Sequence, residues 1–185
     1  EVCVGSRTYV LSQAAAYHDH NFGRWRWGGV LSWRWGFAAP LAPHEPWSLV
    51  FSEVCDRHHL TVYDRSLSLF NRPVLARTFR EAEIALDGRG LFPAERSRQF
   101  PAVLRMLAGE WRVDVPREMV LSAQALGDSL YCKIEPVAVA QLLVPSDVEM
   151  GWTTLNEIWV RIQAEGCIGG LPIRQSWEGI FEHVT

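Results

Sequence analysis

From Trp47 onward, apolar and polar residues alternate in runs that read as strands: Trp47–Cys55, Leu60–Phe70, Val74–Leu86, Glu110–Val115, Met119–Ala125, Ser129–Val139 and Thr154–Glu165. A period of two marks a segment with one buried face, and these runs are rich in the β-branched and aromatic residues that suit a pleated surface. Between them stand Asp87-Gly88-Arg89-Gly90, Val115-Pro116, Gly127-Asp128 and Gly169-Gly170, turn chemistry at spacings suited to an antiparallel meander. The pattern therefore predicts an all-β domain, a sandwich or a barrel. One stretch departs from it. Pro101–Glu110 carries Val103, Leu104, Met106 and Leu107 at near-helical spacing, which predicts a short helix near 101–108. No repeat, low-complexity tract or linker divides the chain, so residues 1–185 are expected to form one domain.

A second pattern precedes Trp47. Four of the nine tryptophans fall in Arg24–Gly36. In an extended chain Trp25 and Trp27 share a face, as do Trp33 and Trp35, while Arg24, Arg26 and Arg34 point the other way. Indoles at that density either fill the interior of a small barrel or line a ligand cavity.

Composition narrows the function classes. The 185 residues are 48% hydrophobic, enough for a sizeable core. With a formal net charge of -3 and arginines spread along the chain rather than massed, no stripe suited to a polyanion is present, so nucleic acid is not an expected partner. The four cysteines, Cys3, Cys55, Cys132 and Cys167, have neither CxxC nor zinc-like spacing and read as free thiols in a reducing compartment. The longest largely apolar run, Val137–Val144, interrupted by Gln141, is too short to span a bilayer, and residues 1–15 lack a charged segment followed by an apolar one. A soluble cytoplasmic chain is expected. It opens on Glu1 rather than methionine, which points to an upstream portion.

Candidate chemistry concentrates in Tyr17-His18-Asp19-His20-Asn21-Phe22-Gly23, directly after the apolar Ala14-Ala15-Ala16. Extended, this segment places Tyr17, Asp19 and Asn21 on one side and His18 and His20 on the other. His-x-His on a strand can chelate a metal, yet the places where a further carboxylate or histidine ligand belongs hold Gly23 and Arg24, so no metal is expected there. The alternative makes Asp19 a proton donor whose carboxyl is kept protonated by an apolar pocket. A plainer reading has Asp19 capping a turn. His44, in a proline-bracketed loop, and His58-His59, at an expected turn, read as surface histidines.

The Tyr-His-Asp-His-Asn-Phe-Gly string followed by Trp33-Arg34-Trp35-Gly36 resembles the signature of the carotenoid 1,2-hydratase (hydroxyneurosporene synthase) and AttH-like lipocalin-like superfamily, with Ala16 for the usual Gly and Phe22 for the usual Trp. A weaker likeness lies in Trp159, Gly169-Gly170 and the ending Gly179-Ile180-Phe181-Glu182-His183. The resemblance implies an antiparallel lipocalin-like β-barrel with at most short helices, one lobe of proteins that usually carry two. It implies hydration or cyclisation of a hydrophobic isoprenoid or polyene, with Asp19 as proton donor supported by Tyr17, His18 and His20. Asn21, Trp25, Trp33, Trp35, Trp159, Trp177 and Glu182 would contact substrate. No metal or organic cofactor is implied; the expected partners are the hydrophobic small molecule, a second lobe or copy, and peripheral contact with a membrane. Two alternatives share the pocket: a Diels–Alderase-type cyclase acting by shape, and a non-catalytic carrier of hydrophobic ligands.

Overall fold

The computed structural model describes residues 1–10, 17–18, 29–42, 44–101, 113–145 and 152–184. The alternation in the sequence reappears as alternating burial. Along β4 (Trp47–Asp56), the side chains of Trp47, Leu49, Phe51, Glu53 and Cys55 are buried and those between them half-buried. The same rhythm runs through β9 (Glu118–Ala125) and through much of β3 (Leu31–Pro40), β5 (Val62–Asn71), β8 (Ser97–Phe100), β10 (Asp128–Pro145), β11 (Trp152–Ile168) and β12 (Leu171–Val184), whereas β6 (Val74–Arg80) and β7 (Ile84–Arg89) are mostly exposed. A small separate hairpin pairs β1 (Val2–Val4) with β2 (Arg7–Tyr9). The only helical turns among the described residues are 3-10 turns at Glu81–Glu83 and Ala94–Arg96, and none of these residues belongs to a helix able to cross a membrane. The expected helix near 101–108 lies outside the described residues apart from Pro101.

Two antiparallel meanders make the main sheet. One is β3-β4-β5-β6 and the other is built on β9-β10-β11-β12; the ladder of β12 on β3, from Trp177↔Pro40 to His183↔Arg34, joins them. The spatial order is β6-β5-β4-β3-β12-β11-β10-β9-β7, and β8 runs parallel beside the second half of β10. Hairpin chemistry fits its residues. The turn between β11 and β12 is Gly169-Gly170, with φ of 58° and 79°, values that only glycine adopts without steric cost, and Asp128 Oδ1 accepts the Gly169 N–H at 2.7 Å.

The all-β, antiparallel expectation holds; closure into a barrel does not. Among the described residues no ladder joins the edge strands β6 and β7. The sequence run Val74–Leu86 was expected to be one strand. It is instead broken at Glu81–Glu83, where a Glu83 carboxylate oxygen accepts the Arg80 N–H at 2.9 Å and Glu81 takes a φ of 40°. That bend carries the chain from one edge of the sheet to the other without a hairpin. Arg65 of β5 reaches across the gap, donating from Nη1 to the Ile84 carbonyl at 3.0 Å. The core lies on one face of the curled sheet and includes Leu49, Phe51, Leu67, Leu69, Phe79, Leu121, Ile134, Ile158, Val160, Ile162 and Trp177. Each fully buried side chain of this size contributes about 1.5–3 kcal/mol.

Candidate functional site

Alternation along β3 divides its side chains between two faces. Ser32, Arg34, Gly36 and Ala38 turn toward the core, while Trp33, Trp35 and Phe37 turn away from it. On the outward face the register sets Trp35 beside Glu182 of β12, and Glu182 beside Glu157 of β11, so three adjacent strands present an indole and two carboxyl groups in a row. Trp33 Nε1 donates a hydrogen bond to a Glu182 carboxylate oxygen. Glu157 and Glu182 stand opposite each other in the β11–β12 ladder. Burial first, and then the neighbouring Glu182 charge and hydrogen bond, push the Glu157 carboxyl up to about 7.

Tyr17 joins this face. Its ring stacks on Phe37 with centroids 4.6 Å apart and planes 16° from parallel, and it meets Trp35 at 5.5 Å. Tyr17, Trp33, Trp35 and Glu182 thus lie on the face away from the core. Trp159 lies on the same side of β11, with the Arg161 guanidinium 5.9 Å from its ring. Trp177 does not join them: it faces the core, is fully buried, and its Nε1 has no partner among the described residues. His18 is exposed. Asp19, His20, Asn21 and Trp25 lie outside the described residues.

The core side carries a polar cluster that sequence reasoning missed. Glu53 is fully buried at an inward position of β4 and is held by Arg34 Nη1 at 3.1 Å and Arg65 Nε at 2.6 Å. Two residues on, the buried Cys55 Sγ lies 3.0 Å from His59 Nδ1. His59 Nε2 lies 2.8 Å from the Val184 carbonyl, 3.1 Å from His183 Nε2 and 3.2 Å from Ser32 Oγ. A carbonyl only accepts, so the His59 proton is on Nε2 and the lone pair of Nδ1 faces the thiol. Burial, then Glu53, pushes the Cys55 thiol up to about 11; burial, then His59 and Arg34, pushes His183 down to about 3, and His59 is lowered by burial and Arg34. An amide chain continues inward: Gln99 Nε2 donates to Gln141, Gln141 Nε2 to Asn156, and Asn156 Nδ2 to the His183 carbonyl.

His59 is thus half-buried and bonded, not the surface histidine expected from its turn. The available signal was the strict alternation of β4, which puts Glu53 in line with Leu49 and Phe51. Beside this cluster a cavity of about 260 Å³ is walled by Phe51, Leu86, Met119, Ile158 and Phe181, with Arg34 and His183 at its polar end.

No protein-family model, no curated protein and no solved structure matches the chain.

Proposed function

We propose that the chain binds a hydrophobic, isoprenoid- or polyene-like molecule against the aromatic face of β3 and promotes its hydration or cyclisation by proton transfer from a carboxyl group. The observation that supports this reading is the Glu157 carboxyl, pushed up to about 7 by burial and by Glu182, on the face that carries Trp33, Trp35 and the Tyr17–Phe37 stack. A donor poised near working pH is what general-acid catalysis needs. Protonation of a trisubstituted alkene gives a tertiary carbocation; water adds to it and returns a proton to the carboxylate, or a second double bond attacks it, closing a ring and leaving a ring cation that loses a proton to the carboxylate. An aromatic face beside the cation stabilises it by about 0.5–2 kcal/mol. The resemblance of the Tyr17–Gly23 string to the carotenoid hydratases supports the substrate class and assigns the donor role to Asp19, while the geometry supports Glu157.

Conversion of an acyclic isoprenoid with a terminal trisubstituted double bond, run in deuterated water, tests this. Acid catalysis leaves deuterium on the protonated carbon. Wild-type protein is expected to incorporate it, and Glu157→Gln is expected to reduce turnover at least a hundredfold while retaining binding. Loss in Asp19→Asn with Glu157→Gln fully active assigns the proton to Asp19. Product without deuterium supports cyclisation by shape. Binding with no conversion supports a carrier, the reading favoured by the largely apolar cavity beside Arg34.

A further inference from the structure

We propose that Glu53, Cys55 and His59 form a binding site for a zinc-type transition-metal cation, on the core side of the sheet and separate from the aromatic face. The coordinating atoms of these three side chains all lie within 4.8 Å of one another. A tetrahedral zinc site with one sulfur, one nitrogen and one oxygen ligand sets neighbouring ligand atoms about 3.5 Å apart, so small side-chain rotations bring the set into range. None of these residues belongs to the His18-Asp19-His20 string.

Local structure explains how the set is assembled. Glu53 and Cys55 are two apart on β4 and therefore share its inward side. His59 returns to them because the Asp56 carboxylate accepts the N–H groups of His58, Leu60 and Thr61 at 2.9, 3.0 and 2.9 Å, folding the turn back on the strand. His59 itself has a φ of 56°, a left-handed conformation that is uncommon for a residue other than glycine, and strain of this kind persists where the surroundings hold a side chain in a needed place.

The imidazole of the set has the outer partner that a metal-binding histidine needs. The Nε2–H of His59 is directed at the Val184 carbonyl, 2.8 Å away, which presents the Nδ1 lone pair to the site and fixes the ring. Arg34 and Arg65 anchor the Glu53 carboxylate in the same outer role. A thiol, an imidazole and one carboxylate favour zinc over calcium or magnesium, which take oxygen ligands. Three protein ligands leave a fourth position for water. Coordination replaces the thiol proton, so one proton is released to solvent for each ion bound. The two guanidinium charges oppose a cation, which puts the expected affinity below that of an all-cysteine structural site.

Titration of the full chain with cobalt(II), a spectroscopic stand-in for zinc, tests the proposal. The expected result is saturation at one ion per chain, a thiolate-to-cobalt charge-transfer band, visible bands of tetrahedral intensity, release of about one proton per ion, and displacement by zinc. Cys55→Ser is expected to abolish the charge-transfer band, and His59→Gln, at a partly exposed turn, to weaken binding more than tenfold. Cys3→Ser and Cys167→Ser are expected to change nothing. Absence of a charge-transfer band in wild-type protein overturns the proposal, as does its persistence in Cys55→Ser or unaltered affinity in His59→Gln; the Cys55–His59 contact is then a packing hydrogen bond alone.

Discussion

Glu53 is a charged residue with no exposed surface, and its two carboxylate oxygens are divided between Arg34 and Arg65. Burying ions is costly, and taking away one member leaves the others without counter-charge, at a cost of about 3–5 kcal/mol. Glu53→Leu, which keeps bulk and removes charge, is therefore expected to lower the free energy of unfolding by that amount, read from the urea midpoint. An unchanged midpoint would mean that the two arginines find water or other acceptors. At this scale the sequence was half legible. Alternation alone assigns Trp33 and Trp35 to one face and Arg34 to the other, and the structure agrees. Glu53 and His59 were not legible, because one charge in an alternating run reads as an ordinary polar position, and the partner of His59, the Val184 carbonyl, is 125 residues away in the chain.

The two meanders depend on one ladder, β12 against β3, and its packing is tightest at Gly179. A Cβ there would run into the Phe37 carbonyl of the neighbouring strand and stand 2.8 Å from the Ala38 Cα. Backbone atoms in a paired ladder cannot yield as a side-chain tip can. Gly179→Ala is expected to cost more than about 3 kcal/mol and to raise amide exchange in β3 and β12 before the rest of the sheet. Gly36→Ala meets the Phe181 ring instead, and overpacking of that kind costs about 1–3 kcal/mol. Should the two variants prove equally mild, the ladder is looser than its register implies. Elements with local signals, such as β4, β9 and β11, were readable because period and turn residues lie within the segment itself. The break at Glu81–Glu83 was not, since no glycine or proline marks it and a Glu83 side chain makes the turn. Nor does any local pattern announce that the last strand pairs with β3, a contact between distant parts of the chain.

At the scale of the molecule, one open, curled sheet separates two ionisable systems, one on each face, and their opposite displacements set the pH response. His183, on the core side, is pushed down from an ordinary 6.5 to about 3, so the folded state binds fewer protons than the unfolded chain between those values. Its contribution to stability is complete above about 6.5 and is lost as the pH falls toward 3. Glu157, on the aromatic face, is pushed up from 4.5 to about 7, and there the folded state holds the extra proton. That contribution is complete below 4.5 and is lost as the pH rises through about 7. Between 4.5 and 6.5 the two slopes oppose each other; below this window stability falls with acid through His183, and above it the remaining Glu157 loss continues to about 7. Glu157→Gln separates them, because the amide keeps hydrogen-bonding capacity and cannot ionise. Relative to wild type, the variant is expected to gain about 1 kcal/mol between about pH 4.5 and 8, the linkage value being discounted because Glu157 is only half-buried. Its acidic limb, set by His183, should stay in place. Urea midpoints of the two proteins measured across this range check the prediction: a constant difference at every pH would show that Glu157 ionises as an ordinary surface carboxylate, and the proton on which the acid-transfer reading depends would then be gone at neutrality.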